Sequence, residues 1–127
     1  MGRKVHPYGF RVGVTKDWQS KWFSSNNYAQ LANEDIVLRK IINRSAREAG
    51  IAKVIIDRNA NDVVITIRAS KPGIVIGRGG QSAEKLREEL EIASTKKVKL
   101  NIKEIRVPEL DAALVAANVA EQLEKRV

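Results

Sequence analysis

Lys71-Pro72-Gly73-Ile74-Val75-Ile76-Gly77-Arg78-Gly79-Gly80-Gln81 is the stretch that decides the fold. Pro72 suits the first turn of a short helix, so Pro72 to Ile76 is predicted helical. The Gly77-Arg78-Gly79-Gly80 corner follows, and a second helix is predicted from about Gln81 to Ile92, with Ala83, Leu86, Leu90 and Ala93 on one side. Glycine lets a backbone adopt positive φ and come close to a ligand. The first amides of the Gln81 helix lack intrahelical partners, and together with the helix dipole they attract phosphate. Arg78 adds a guanidinium fork at the tip, and Lys71 and Lys85 extend the basic rim on either side.

Working outward, two strands precede the corner and one follows it. Ala52 to Asp57 and Val63 to Ser70 flank the polar turn Arg58 to Asn61 and read as an antiparallel hairpin. Val63, Ile65, Ile67 and Ala69 alternate with Val64, Thr66, Arg68 and Ser70, so one face is expected to be buried. In the third strand, Val98 to Ile105, Val98, Leu100 and Ile102 point one way while Lys97, Lys99, Asn101 and Lys103 point the other. The long connection through two helices permits a crossover, which makes the second and third strands parallel. Before the hairpin, a helix is expected from Asn33 as cap to Gly50 as stop, with Glu34 and Asp35 at its positive end. Leu38, Ile41, Ile42, Ser45, Ala46 and Ala49 form its apolar face. After Pro108, a last helix starts at the cap Asp111 and carries the stripe Ala112, Val115, Ala116, Val119, Ala120, Leu123 and Val127, expected to pack on this domain. That stripe reaches Val127 without a C-cap signal, so a longer protein is expected.

The fold class is therefore α+β, with a small three-stranded mixed sheet, helices packed on one face, an N-terminal arm and a C-terminal helix. The division is residues 1–32 for the arm, 33–107 for the domain and 108–127 for the last helix, leading to a second domain absent from this chain. All six aromatics, Tyr8, Phe10, Trp18, Trp22, Phe23 and Tyr28, lie in the arm. The domain thus has no ring on which to stack bases, as sheet-based RNA binders do, and an aliphatic groove is expected instead. Ile74, Ile76 and Leu86 are its candidates, with core packing preferred for Leu86 and an even choice for Ile76. Trp18, Trp22 and Phe23 are expected to pin the arm to its own domain rather than to stack on bases.

Composition narrows the function. The 127 residues carry a formal charge of +8, and 43% are hydrophobic, which allows a core. Such a surplus points to nucleic acid ahead of an anionic membrane. The chain has no cysteine, which excludes disulfides, thiolate catalysis and cysteine zinc sites, and His6 alone builds no metal site. No signal segment or membrane-length apolar run is present, and His6 stands where a myristoylation signal wants Ser or Thr. The expectation is a cytoplasmic protein with no membrane partner and no cofactor. A Walker loop needs Lys where Gln81 stands, and the dinucleotide motif needs Gly where Ser82 stands.

A turn between two helices with this equipment resembles the GXXG loop of KH domains, which clamps about four nucleotides. Three separated motifs carry the resemblance further. Met1-Gly2-Arg3-Lys4-Val5-His6-Pro7 with Gly9, Arg11 and Gly13, then Pro72 to Gly77, then Pro108-Glu109-Leu110-Asp111-Ala112 look like bacterial and organellar small-subunit ribosomal protein three. The resemblance spans the chain. It implies a type II KH domain with a helix-strand extension, and a ribonucleoprotein role in translation as a structural constituent of the small-subunit head. It implies binding to ribosomal RNA through Gly77, Arg78, Gly79, Gly80 and Ile76 and through Arg3, Lys4, His6 and Arg11 of the arm. It also implies small-subunit proteins ten and fourteen as neighbours, proximity to mRNA, and a cytoplasmic or organellar ribosome. Members of that family continue with a basic helix and a second domain, so mRNA unwinding is not carried over. Ala83 stands where KH domains usually have a larger branched aliphatic, which implies a shallower groove. The rival binding role is a free-standing KH regulator of mRNA or transcription. An enzyme reading, a metal-dependent nuclease using Asp57, Asp62, Glu84 and Glu88, requires convergence that a hairpin turn and one helix face do not provide; no catalysis is expected.

Overall fold

Val63, Ile65, Ile67 and Ala69 are all fully buried, as their alternation requires. They belong to β3 (Asp62–Ala69), which pairs antiparallel with β2 (Ile51–Arg58) and parallel with β4 (Lys97–Glu104). The computed structural model describes residues 2–126; Met1 of the arm and Val127 of the C-terminal stripe lie outside them.

The sheet has four strands, not three, in the order β1-β2-β3-β4. β1 is only Ser20–Lys21, laid parallel to β2 with Ser20 opposite Ile56. The Ile56 amide donates to the Gln19 carbonyl at 2.9 Å. Two residues have no period to detect, which is why the strand is invisible before the chain folds.

Helices cover one face. α2 (Tyr28–Ser45) packs with α4 (Gln81–Ser94) over the buried side of the sheet. Leu38 and Ile42 of α2 and Leu90 of α4 meet Ile56, Ile65, Ile67 and Val98 in one continuous core. α2 begins at Tyr28 rather than at Asn33, and Asn27 occupies the cap position without a side-chain hydrogen bond. It ends at Ser45, and a 3₁₀ turn over Arg47–Ala49 leads to Gly50, whose φ of +66° closes the segment in the left-handed region. Leu38, Ile42, Ala46 and Ala49 of the expected face are buried and Ile41 packs against the core; Ser45 is exposed, and Asp35 joins the inner face instead.

α3 (Pro72–Ile76) and α4 have the expected starts, and α4 continues to Ser94. α1 (Pro7–Phe10) is a single turn in the arm. α5 (Ala112–Glu124) is capped by Asp111, which accepts from the Ala113 amide at 3.0 Å and the Leu114 amide at 3.4 Å. Its apolar stripe does not pack on the domain. Leu114 alone of this helix is buried, while Val115, Val119 and Leu123 face outward at 44%, 51% and 71% exposure. The stripe's period is helical, but the face that meets the sheet is one residue off it.

Candidate nucleic-acid interface

Gly77 ends α3 with φ +73° and ψ −175°, a combination open essentially to glycine alone. A Cβ there would stand 2.7 Å from Ser82 Cβ and 3.1 Å from the Ser82 amide nitrogen. Gly79 and Gly80 follow at φ +60° and +78°, within a 3₁₀ turn over Arg78–Gly80. A Cβ on either would meet nothing within 4 Å, so this side of the corner is open. The sequence therefore folds as a sharp helix-to-helix corner in which one glycine is demanded by packing and two by backbone angle.

Gly80 is the N-cap of α4 and supplies no side-chain acceptor. The Gln81 amide donates to the Arg78 carbonyl, and the amides that follow it find no side-chain cap, at the positive end of a 14-residue helix. Arg78, Gly79 and Gln81 are exposed, as are Lys71 and Lys85. Among the described residues, Arg78, Lys71 and Lys85 enter no ion pair. The neighbouring Arg87 is occupied: it contacts Glu84 at 2.6 Å and Glu91 at 3.2 Å. Its hydrogen bond to Glu84 raises the guanidinium pKa above its ordinary range. The pairing also turns Glu84 away from any role as a free acid beside the corner.

The groove candidates separate. Ile74 and Ile76 are 46% and 42% exposed, whereas Leu86 and Val75 are buried at 3%. Leu86 is core, and Ile74 and Ile76 are the aliphatic surface beside the glycines. Ala83 is half-buried next to them.

The arm residues are not brought to the corner. Strand β1 fastens the arm to the β2 edge of the sheet, whereas α3 touches α4, the 3₁₀ turn before β2, and β4. Arg3 and Lys4 are exposed. His6 is exposed, and its Nδ1 accepts from the Tyr8 amide at 3.1 Å and caps α1. Arg11 folds back to donate to the Pro7 carbonyl at 2.9 Å. Of the three arm aromatics, only Trp22 pins the arm. Its Nε1 donates to Asp35 Oδ2 at 2.7 Å, and its ring centroid lies 5.4 Å from that of Tyr28. Trp18 and Phe23 are 64% and 91% exposed. A cleft of about 1000 Å³ opens between arm and α2, lined by Tyr8, Trp18, Trp22, Tyr28, Ile36 and Arg39 among others. Arg39 forms its floor, donating to Ser20 Oγ at 2.8 Å and to the Gln19 and Val54 carbonyls at 3.2 and 3.3 Å. Burial holds that guanidinium below its ordinary range, against the attraction of Asp35. Sequence reasoning missed this cleft because its walls come from segments with no common period.

The corner can hold phosphate oxygens on backbone amides and a guanidinium, beside an aliphatic shelf of Ile74 and Ile76. Asp57 and Asp62 stand at the hairpin end of the sheet, and among the described residues no cluster of three or more His, Asp or Glu side chains is placed to hold a metal ion. Among those residues no helix is long and apolar enough to cross a membrane.

Comparison with known proteins agrees with this geometry. Curated relatives named small ribosomal subunit protein uS3 align along the chain. That of Desulfitobacterium hafniense is 53% identical over 127 residues, covering 100% of this chain and 58% of the relative. That of Syntrophomonas wolfei is 51% identical over the same length, covering 56% of the relative. That of a Roseiflexus species is 58% identical over 114 residues, which is 90% of this chain and 44% of the relative. The chain spans about half the length of the curated relatives it matches. A family model described as KH domain matches residues 37–110, which hold the sheet core, the glycine corner and both helices around it. With more than half its length so matched, the chain belongs to the KH domain family.

Proposed function

We propose that this chain is the RNA-binding part of a non-catalytic structural component of the small ribosomal subunit. Gly77, Arg78, Gly79 and Gly80, flanked by Lys71 and Lys85, hold the backbone of ribosomal RNA, and Ile76 shelters a base. The observation that carries this is the open corner: two positive-φ glycines with nothing within 4 Å of their Cβ positions, at a helix start that has no side-chain cap. The names of the relatives support the ribosomal setting. The proposed parts are an RNA-lying arm over residues 1–32 with Arg3, Lys4, His6 and Arg11, a KH domain over 33–107, and a helix over 108–127. That helix leads toward the portion that the relatives have beyond this match. Small-subunit proteins ten and fourteen are the proposed neighbours, mRNA a second RNA in reach, and a cytoplasmic or organellar ribosome the location.

The test is affinity for single-stranded RNA as a function of salt. About four phosphate contacts predict a log-log slope on the order of −3. The double change Arg78→Asp, Gly79→Asp is expected to flatten the slope and abolish most binding. A double variant that binds as the parent does removes the corner from the proposal. Co-sedimentation with small subunits after a high-salt wash tests the ribosomal assignment separately from RNA binding.

A further inference from the structure

The face of the sheet away from the helices has an arrangement of charge that the domain's own stability does not explain. Strand register places Lys53 of β2 opposite Arg68 of β3, and Arg68 opposite Lys103 of β4. Three cations therefore stand side by side across three strands, with neighbouring strands about 4.8 Å apart. Like charges directly opposite one another destabilise a sheet. Among the described residues, none of the three is in an ion pair. Some cations elsewhere on the surface are paired: Arg87 with Glu84 and Glu91, Lys21 with Asp17, Arg47 with Glu124, and Lys125 with Glu121.

The same face is balanced at its other end. Lys97 stands opposite Asp62, and Lys99 shares a row with Val64 and Asp57. The excess is thus confined to the end where β3 hands on to α3 and the glycine corner, with Lys71 only three residues beyond Arg68. Arg68 and Lys103 are exposed and Lys53 is half-buried. The next row inward, Ile55, Thr66 and Asn101, offers an amide and a hydroxyl but no further charge. None of the strand residues on the face is aromatic, since all six aromatics are in the first 28 residues; of the arm, Asp17 comes close enough to Lys53 to feel its charge. Such a surface holds phosphates and ribose hydroxyls without reading bases.

We infer that Lys53, Arg68 and Lys103 form a second, sequence-independent contact for the phosphate backbone of RNA, on the opposite side of the sheet from the helices. This inference rests on the RNA-binding role proposed above, but not on the glycine corner being the contact.

The probe is an RNA hairpin with a single-stranded tail, titrated against salt with the 127-residue chain. The triple change Lys53→Gln, Arg68→Gln, Lys103→Gln is expected to make the log-log slope shallower by about 2–3, at about 0.9 per duplex phosphate released. Affinity for the stem is expected to fall more than about tenfold at low salt, equally for stems of different sequence. Because the change removes like-charge neighbours, its thermal midpoint at low salt is expected to equal or exceed the parent's, which separates lost binding from lost folding. The swap Lys53→Arg, Lys103→Arg, made in the parent chain, is expected to keep the parent's affinity and slope. Wild-type affinity and slope in the triple variant overturn the inference. So does poly-glutamate that displaces the stem and binds with equal strength, which identifies the row as a site for an acidic protein. If the triple variant binds normally while Arg78→Asp, Gly79→Asp does not, the corner stands and the sheet contact falls. If the wild-type chain shows no salt-dependent RNA binding, both fall.

Discussion

Arg58, at the end of β2, lies 2.6 Å from Asp35 of α2 through Nη2, and its Nε donates to the same Asp35 oxygen at 2.9 Å. Both side chains are more than nine-tenths buried. The other Asp35 oxygen accepts from Trp22. One carboxylate thus joins the arm, the first long helix and the hairpin end of the sheet. Glu34 stands off at 3.5 Å from Arg58 Nη1, and neither of those atoms has a hydrogen-bond partner.

Removing one member of this pair leaves an uncompensated buried charge, which costs about 3–5 kcal/mol. Asp35→Ala is therefore expected to lower stability by that amount in urea titration and to expose Trp22, seen as a red shift of its fluorescence. The double change Asp35→Leu, Arg58→Met is expected to recover part of the loss, because two apolar side chains replace both charges while Glu34 and Trp22 lose their partners. A single variant within about 0.5 kcal/mol of the parent contradicts the burial of the pair.

Two glycines of the corner, Gly77 and Gly79, are expected to differ. Gly77→Ala meets the Ser82 backbone and leaves a glycine-only region, so a loss of about 3 kcal/mol or more is expected. Gly79→Ala has open space and bears only the left-handed backbone cost, about 1–2 kcal/mol. Equal losses in denaturant titrations of the two variants contradict the packing of Gly77 on Ser82.

The arm's clip to β2 is expected to depend on pH at both extremes. Asp17 and Lys21 lie 2.9 Å apart beside β1. The hydrogen bond from Lys21 holds the Asp17 carboxyl below its ordinary range, and the same bond holds the Lys21 ammonium above its own. A depressed acid contributes above its unfolded pKa and loses that contribution as pH falls through the folded value. A raised base contributes below its unfolded pKa and loses it as pH rises through the folded value. The clip is therefore strongest between the usual carboxylate and lysine ranges and weakens on both sides. Both groups are exposed, so the expected readout is local: faster hydrogen exchange at the Ile56 amide, which donates to Gln19, in Lys21→Met than in the parent near neutral pH. Identical exchange in the two removes the ion pair from the clip.

Asp111→Ala is expected to cost about 1 kcal/mol and to fray α5 first, since this cap accepts from two amides and the helix is otherwise held by one buried residue, Leu114, and the exposed Arg47–Glu124 pair. Far-UV circular dichroism on heating is expected to show α5 melting ahead of the sheet. Coincident transitions in parent and variant contradict that weak attachment.

What the sequence determined by itself is whatever depends on neighbours in the chain. The alternation from Val63 to Ala69, the start of α3 at Pro72, the glycine corner and the cap Asp111 all rest on local period or local backbone chemistry, and each is where it was expected; the parallel pairing with β4 followed from the length of the crossover. Only the tertiary structure decided which partners meet across the fold. It recruited Ser20–Lys21 as a fourth strand, moved the start of α2 to Tyr28, buried Asp35 against Arg58, and turned the α5 stripe outward. It also set Lys53, Arg68 and Lys103 in one row. Charge pairing, edge pairing and the facing of a helix are contacts between distant residues, and periodicity along a chain names a face without naming what that face will meet.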